Sequence, residues 1–227
     1  MRRVLTAAEM READRRCIED VGIPGAVLMN TAGAAVWAEA ARWPGPVGVV
    51  CGRGNNGGDG FVVARLALCA GRAVRVVLVG DPAAVTGDAA VFLRAYERLG
   101  GVVIPAPDPE TAARETAALR GSGVLVDALL GTGFAGGVRG AARAAVEAWP
   151  EGIPTVAVDI PSGLNADTGE PGGADVRADT TVTFACLKRG LLAESARPYT
   201  GRIIVADIGI PEACLEGLGT FAPVEDR

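Results

Sequence analysis

CGRGNNGGDG, Cys51–Gly60, lies between the apolar run PVGVV (46–50) and the helical pattern FVVARLALCA (61–70). Five glycines and two asparagines in ten residues make a surface loop in many contexts. Placed between a buried strand and a helix, they make a ligand cradle: glycine lets a backbone come close, and a helix start offers unsatisfied amides to an anion. We place that helix start near Gly58, with a phosphate or pyrophosphate as the guest. The alternative is a tight strand-to-helix turn in which Asp59 only complements the helix dipole. A dinucleotide fingerprint can be traced through Gly52, Gly54 and Gly57, but NNGGDG interrupts it and no acidic residue is well placed at the end of the next strand.

Outward from this stretch the chain alternates strand and helix. Strand candidates are PVGVVCG (46–52), AVRVVLVG (73–80), GVVIPA (101–106), GVLVDALLG (123–131), PTVAVDIPSG (154–163), DTTVTFAC (179–186) and GRIIVADIG (201–209). Most are continuous Val/Ile/Leu runs, the pattern of strands buried on both faces. Helical windows separate them, such as DAAVFLRAYERLG (88–100) with Phe92, Tyr96 and Leu99 on one face. The expected fold class is α/β, a mostly parallel doubly wound sheet between two helical layers. Two helices precede the first strand. LTAAEMREADRRCIEDVG (5–22) has capping-box spacing at Thr6 and Glu9, a face of Met10, Ala13, Cys17 and Val21, and a stop at Gly22, and a second helix follows from about Pro24. With 227 residues and no linker or repeat, we expect one domain over 1–227.

Composition excludes much. There is no histidine, so Ser-His-Asp and Cys-His catalysis, His-ligated zinc and imidazole acid/base chemistry are ruled out. The five cysteines are scattered without a CxxC pair, which favours reduced buried thiols over a disulfide framework or a thiolate metal site. A net charge of −5 gives no reason to expect nucleic acid or an anionic membrane as partner, and no apolar run reaches membrane-spanning length. The expectation is a cytoplasmic, soluble protein.

In doubly wound sheets, ligands bind at the carboxyl ends of the strands. Two more polar, glycine-rich loops follow strands. VDALLGTGFAGG (126–137) puts Asp127 at the end of an apolar strand, where backbone amides, a bound cation or a ligand hydroxyl must offset its burial, unless it caps a neighbouring turn. VAVDIPSGLNADTG (156–169) repeats the arrangement with Asp159 and Ser162. Ser162 lacks a histidine to activate it, and a Ser-Lys pair would need Lys188, the only lysine of the chain. Asp167 reads as an ordinary turn residue.

Together GNNGGDG (54–60), VDALLGTGF (126–134), VDIPSGLNADTG (158–169), ADTTVTFACLKRGLL (178–192), GRIIVADIGIP (201–211) and the N-terminal LTAAEMREADRRCIEDVGIPGAVLM (5–29) resemble the NAD(P)H-hydrate epimerases, from residue 4 to about 211. The resemblance implies a Rossmann-like three-layer fold, hydrated NADH or NADPH as substrate and a potassium ion. Carried over by position, it puts Asn55, Asn56, Gly57, Gly58, Asp59, the segment Gly131, Thr132, Gly133, Phe134, Ala135, Gly136, Gly137, and Asp159 against the substrate. It puts Asn56, Asp127 and Ser162 against potassium, and it leaves room for a homodimer. In the hydrated ring a hydroxyl sits next to the ring nitrogen, which can expel it as water and let water re-enter from either face. A carboxyl group alternating between acid and base serves both steps, and Asp159 is the first choice. One departure stands out: LMNTAG (28–33) has Asn30 and Thr31 where the family has Glu-Asn. Relatives also occur fused to a dehydratase domain, an activity not expected of this chain. The competing expectations are an oxidoreductase binding intact NAD(P) and a catalytically silent module on the same fold.

Overall fold

In the computed structural model, which describes residues 1–223, the strands are β1 (Arg2–Leu5), β2 (Val47–Cys51), β3 (Val74–Leu78), β4 (Val103–Pro105), β5 (Val124–Ala128), β6 (Thr155–Val158), β7 (Thr180–Phe184), β8 (Leu187–Lys188), β9 (Arg202–Ala206) and β10 (Thr220–Ala222). The helices are α1 (Ala7–Arg15), α2 (Gly25–Ala40), α3 (Asn55–Cys69), α4 (Gly87–Arg98), α5 (Pro109–Ala117), α6 (Gly140–Glu147) and the single turns α7 (Arg197–Thr200) and α8 (Glu212–Leu215). The last four residues of the domain expected over 1–227 lie outside the described residues.

All seven expected strands form one sheet in the order β4-β3-β2-β5-β6-β7-β9, and every pairing is parallel. Strand order runs outward from β2 in both directions. The switch point, where a crevice opens at the strand ends, therefore lies between β2 and β5.

Successive strand residues point to opposite faces. Val49, Val76 and Val126 pack with Val36 of α2, Phe61 of α3 and Tyr96 of α4, whereas Val50, Val77 and Leu125 pack with Ala112 of α5 and Ala145 of α6. Both faces are thus covered by helices, which accounts for the unbroken apolar runs. The result is the expected three-layer α/β/α arrangement.

A second, three-stranded sheet was not anticipated: β1 pairs antiparallel with β10 and parallel with β8. Its strands are too short to carry a period. The capping box forms, with the Thr6 amide donating to Glu9 Oε2 at 2.8 Å and the Glu9 amide donating to Thr6 Oγ1 at 3.2 Å. Two expected core positions fail: Val21 and Leu99 are half exposed because each lies past the last regular turn of its helix. No helix among the described residues is long and apolar enough to cross a membrane.

Candidate functional site

Three loops at the carboxyl edge of the sheet converge, and the deepest layer is a knot of oxygens. Asp127, the fourth residue of β5, is fully buried. Its carboxylate accepts from the Ser162 amide (2.7 Å), the Ser162 hydroxyl (2.5 Å) and the Leu129 amide (3.3 Å). Ser162 Oγ in turn accepts from the Leu130 amide at 2.8 Å, and Asn56 Nδ2 donates to the Leu130 carbonyl at 2.9 Å. Amides and a hydroxyl are therefore the protein partners of Asp127, and Ser162 is fully engaged with Asp127 and Leu130 rather than with Lys188. No Ser-Lys pair forms. Burial pushes the Asp127 carboxyl up to about 6, against the lowering effect of its hydrogen bonds. The donors here are amide, carboxylate and hydroxyl oxygens, and Asn56 Oδ1 accepts no hydrogen bond among the described residues. That set suits a hard monovalent cation, which would also supply the positive charge that Asp127 lacks.

Above this floor opens a cleft of about 1080 Å³ lined by Asn55, Asn56, Asp59, Asp159 and the segment Gly131–Ala135. Helix α3 begins at Asn55, one turn earlier than expected, because Gly54 is already the extended residue before it and Gly58 N donates to Gly54 O. The first-turn amides of α3 have no side-chain cap, and Gly54, Asn55 and Asn56 at this helix start line the cleft. Gly57 and Gly58 do not line the cleft. A Cβ on Gly57 would stand 1.9 Å from the Gly52 carbonyl oxygen, and one on Gly58 2.6 Å from Met29 Sδ. These two glycines let the helix pack against its own loop and against α2. Gly136 and Gly137 also lie outside the lining.

The side wall carries charge. Asp159 directly follows β6 and holds a left-handed backbone conformation, φ 63°. Its Oδ1 is 2.6 Å from Lys188 Nζ, accepts from Thr183 Oγ1 at 2.9 Å, and faces the Phe184 amide at 3.4 Å. Lys188 is only 1% exposed and also donates to the Phe184 carbonyl at 2.9 Å. Sequence reasoning considered Lys188 for Ser162 and so missed its partner. Two further carboxylates share the wall, and neither accepts a hydrogen bond among the described residues. Asp59 of α3 is 7% exposed, and burial, reinforced by Asp159 and Asp14, pushes its carboxyl well above the usual range. Asp14 of α1 is pushed up to about 6 by burial, with Lys188 lowering and Asp159 raising it.

Asp14 was not singled out from the sequence. Its signal was available in retrospect: Met10, Asp14 and Ile18 recur every fourth residue along α1 and the turn after it, and all three line the cleft. Asp167 was also underrated. Its Oδ1 accepts from the Ala7 amide at 2.7 Å, so the turn after Ser162 helps hold the start of α1. The departure at Asn30 and Thr31 lies outside the cleft lining: Asn30 Oδ1 accepts from Arg65 Nη2 at 2.7 Å, and Thr31 Oγ1 donates to the Val27 carbonyl one turn back at 3.0 Å.

Residues 25–190 match the family model described as YjeF-related protein N-terminus. The chain is 39% identical to the NAD(P)H-hydrate epimerase of Limosilactobacillus fermentum, covering 89% of this chain and 95% of that protein, and 39% identical to that of Pirellula staleyi, covering 95% and 96%. It is 42% identical to the bifunctional NAD(P)H-hydrate repair enzyme Nnr of Moorella thermoacetica, but spans only 41% of that longer protein. The crystal structure of yeast ynu0, YNL200c, superposes with a TM-score of 0.78 at 23% identity, covering 98% of this chain and 96% of that one, a likeness of fold. The chain belongs to the YjeF-related N-terminal family, the NAD(P)H-hydrate epimerases.

Proposed function

We propose that this protein interconverts the R and S forms of hydrated NADH and NADPH. The observation that carries the reading is the cleft at the β2/β5 switch point, where the uncapped first turn of α3 faces the same space as Asp59, Asp159 and Lys188. The amides offer an anion site for the cofactor's pyrophosphate, and the acidic wall offers proton transfer without histidine. The segment Gly131–Ala135 also lines this cleft.

In this reading Asp159 accepts a proton from the water that adds to the ring carbon. Thr183 and Lys188 fix its carboxylate in one orientation, so that Oδ2 is left for the substrate. Potassium would be held by Asn56, Asp127 and Ser162. Its positive charge would offset the negative charge of the Asp127 carboxylate and hold the three loops in register.

The experiment is direct. Separated R and S hydrates are incubated with the protein, and their interconversion is followed by chromatography after the spontaneous rate has been subtracted. A protein-dependent approach to the R/S equilibrium is the expected result. No acceleration at excess protein, in the presence of potassium, would refute the assignment.

A further inference from the structure

We propose that Asp14 is a second proton-transfer group of this cleft, the acid that protonates the departing hydroxyl; the inference rests on the epimerase reading and deepens it. Epimerisation needs a proton donor when the hydroxyl leaves and an acceptor when water enters. Asp159 is poorly placed to fill both roles, since one of its oxygens is held by Lys188, Thr183 and the Phe184 amide. Three carboxyl groups of the cleft lining, Asp14, Asp59 and Asp88, have no hydrogen-bond or ion-pair partner among the described residues, and of these Asp14 and Asp59 are the ones close enough to interact with Asp159. Asp59 is more than nine-tenths buried and faces the cleft, so the space is built to receive a group that interacts with carboxyls. Asp14 is only partly enclosed and flanked by Met10 and Ile18, where it can be reprotonated from solvent between turnovers.

The helix that carries Asp14 is firmly seated. Ala7 N is bound by Asp167, Gly219 N donates to Glu9 Oε1 at 3.0 Å, and Arg16 Nη1 donates to the Glu216 carbonyl at 2.9 Å. This helix lies before the residues matched by the family model, 25–190, which is one reason the motifs do not point to it. The charged and titratable groups facing Asp14 are Lys188 of β8, Asp159 at the end of β6, Asp59 of α3 and Cys17 in the next turn. The nearest acid of α8, Glu212, is paired with Arg3. Desolvation outweighs Lys188 and leaves the Asp14 carboxyl about half protonated near pH 6.

The step balances. The ring-nitrogen lone pair forms the C=N bond as the adjacent C–O bond breaks, and the leaving oxygen takes the Asp14 proton to depart as water. Water then forms the new C–O bond from either face, the C=N pair returns to nitrogen, and the released proton goes back to Asp14 or to Asp159.

The test uses the full chain carrying Asp14→Asn or Asp14→Ala, each checked for native circular dichroism and for hydrate affinity by calorimetry. The expected result for Asp14→Asn is a kcat lower by about 100- to 10,000-fold with affinity within a few-fold of the parent. The fall in kcat/KM that the parent shows as pH rises through about 6 should be absent in the variant. Added formate should restore part of the Asp14→Ala rate. A kcat within about five-fold of the parent, or a loss confined to KM, would overturn the proposal. A parent that fails to interconvert the hydrates would instead defeat the epimerase reading, so the two failures are distinguishable.

Discussion

Replacing Lys188 by methionine tests the electrostatics of the site more sharply than any other single change. The substitution nearly preserves side-chain volume but removes the only ammonium from a pair that is 2.6 Å apart, with Lys188 1% and the Asp159 side chain 13% exposed. Breaking a buried pair by deleting one partner costs about 3–5 kcal/mol, because the remaining charge is left uncompensated. Asp159 borders the cleft and can gain water there, so we take the low end, about 3 kcal/mol. For a chain of this size each kcal/mol moves the melting temperature by roughly 2–4 °C, which gives a drop of roughly 6–12 °C. The assay is urea and thermal unfolding of Lys188→Met, Asp159→Asn and the double variant, read as a double-mutant cycle. The double variant should be more stable than Lys188→Met alone, since it no longer carries the orphaned carboxylate. The reasoning is refuted if Lys188→Met lies within about 1 kcal/mol of the parent, or if the cycle shows no coupling.

Asp159→Asn should bind hydrate but epimerise it about 100- to 10,000-fold more slowly, measured with excess enzyme at mildly alkaline pH; parental turnover would reduce Asp159 to positioning substrate. Asparagine is the right replacement because, unlike most residues, it tolerates the left-handed backbone seen at this position. Asp127→Asn should abolish the stabilisation that potassium gives over a bulky organic cation. At ten times its dissociation constant, that stabilisation is worth about 1.4 kcal/mol, or roughly 3–6 °C. An equal potassium response in variant and parent would remove Asp127 from the cation site. Gly57→Ala should cost at least about 1–3 kcal/mol in urea unfolding, because its Cβ would meet the Gly52 carbonyl; parental stability would show that the loop yields.

The main sheet was legible because its central strands β2, β5, β6 and β7 are buried throughout, and double burial writes a continuous apolar run. The small sheet was not legible: two residues of β8 and three of β10 offer no period to read. The site divided in the same way. Asp127 near the end of β5, and Asp159 and Ser162 just after β6, lie at the carboxyl edge of neighbouring strands, so topology alone brings them together. Asp14 and Lys188 come from elements outside the alternating βα pattern and reach the cleft only through tertiary packing. The glycines of the first loop carry two demands that the sequence does not separate. Both close approach to a ligand and close approach to one's own backbone demand glycine, and at Gly57 the second demand is the one met.

The hydrogen bond from Ala7 to Asp167 bears on how the site responds to its ligands. The segment from Asp159 to Asp167 touches three things at once: the cleft wall at Asp159, the buried oxygen knot at Ser162 and the start of α1 at Asp167. A ligand that steadied Ser162 would therefore also steady the helix whose Met10 and Asp14 line the cleft. If the floor holds the proposed cation, its occupancy and that of the cleft would be linked thermodynamically through nine residues of chain, and the linkage would be reciprocal: whatever factor one ligand gains from the other, the other gains in return.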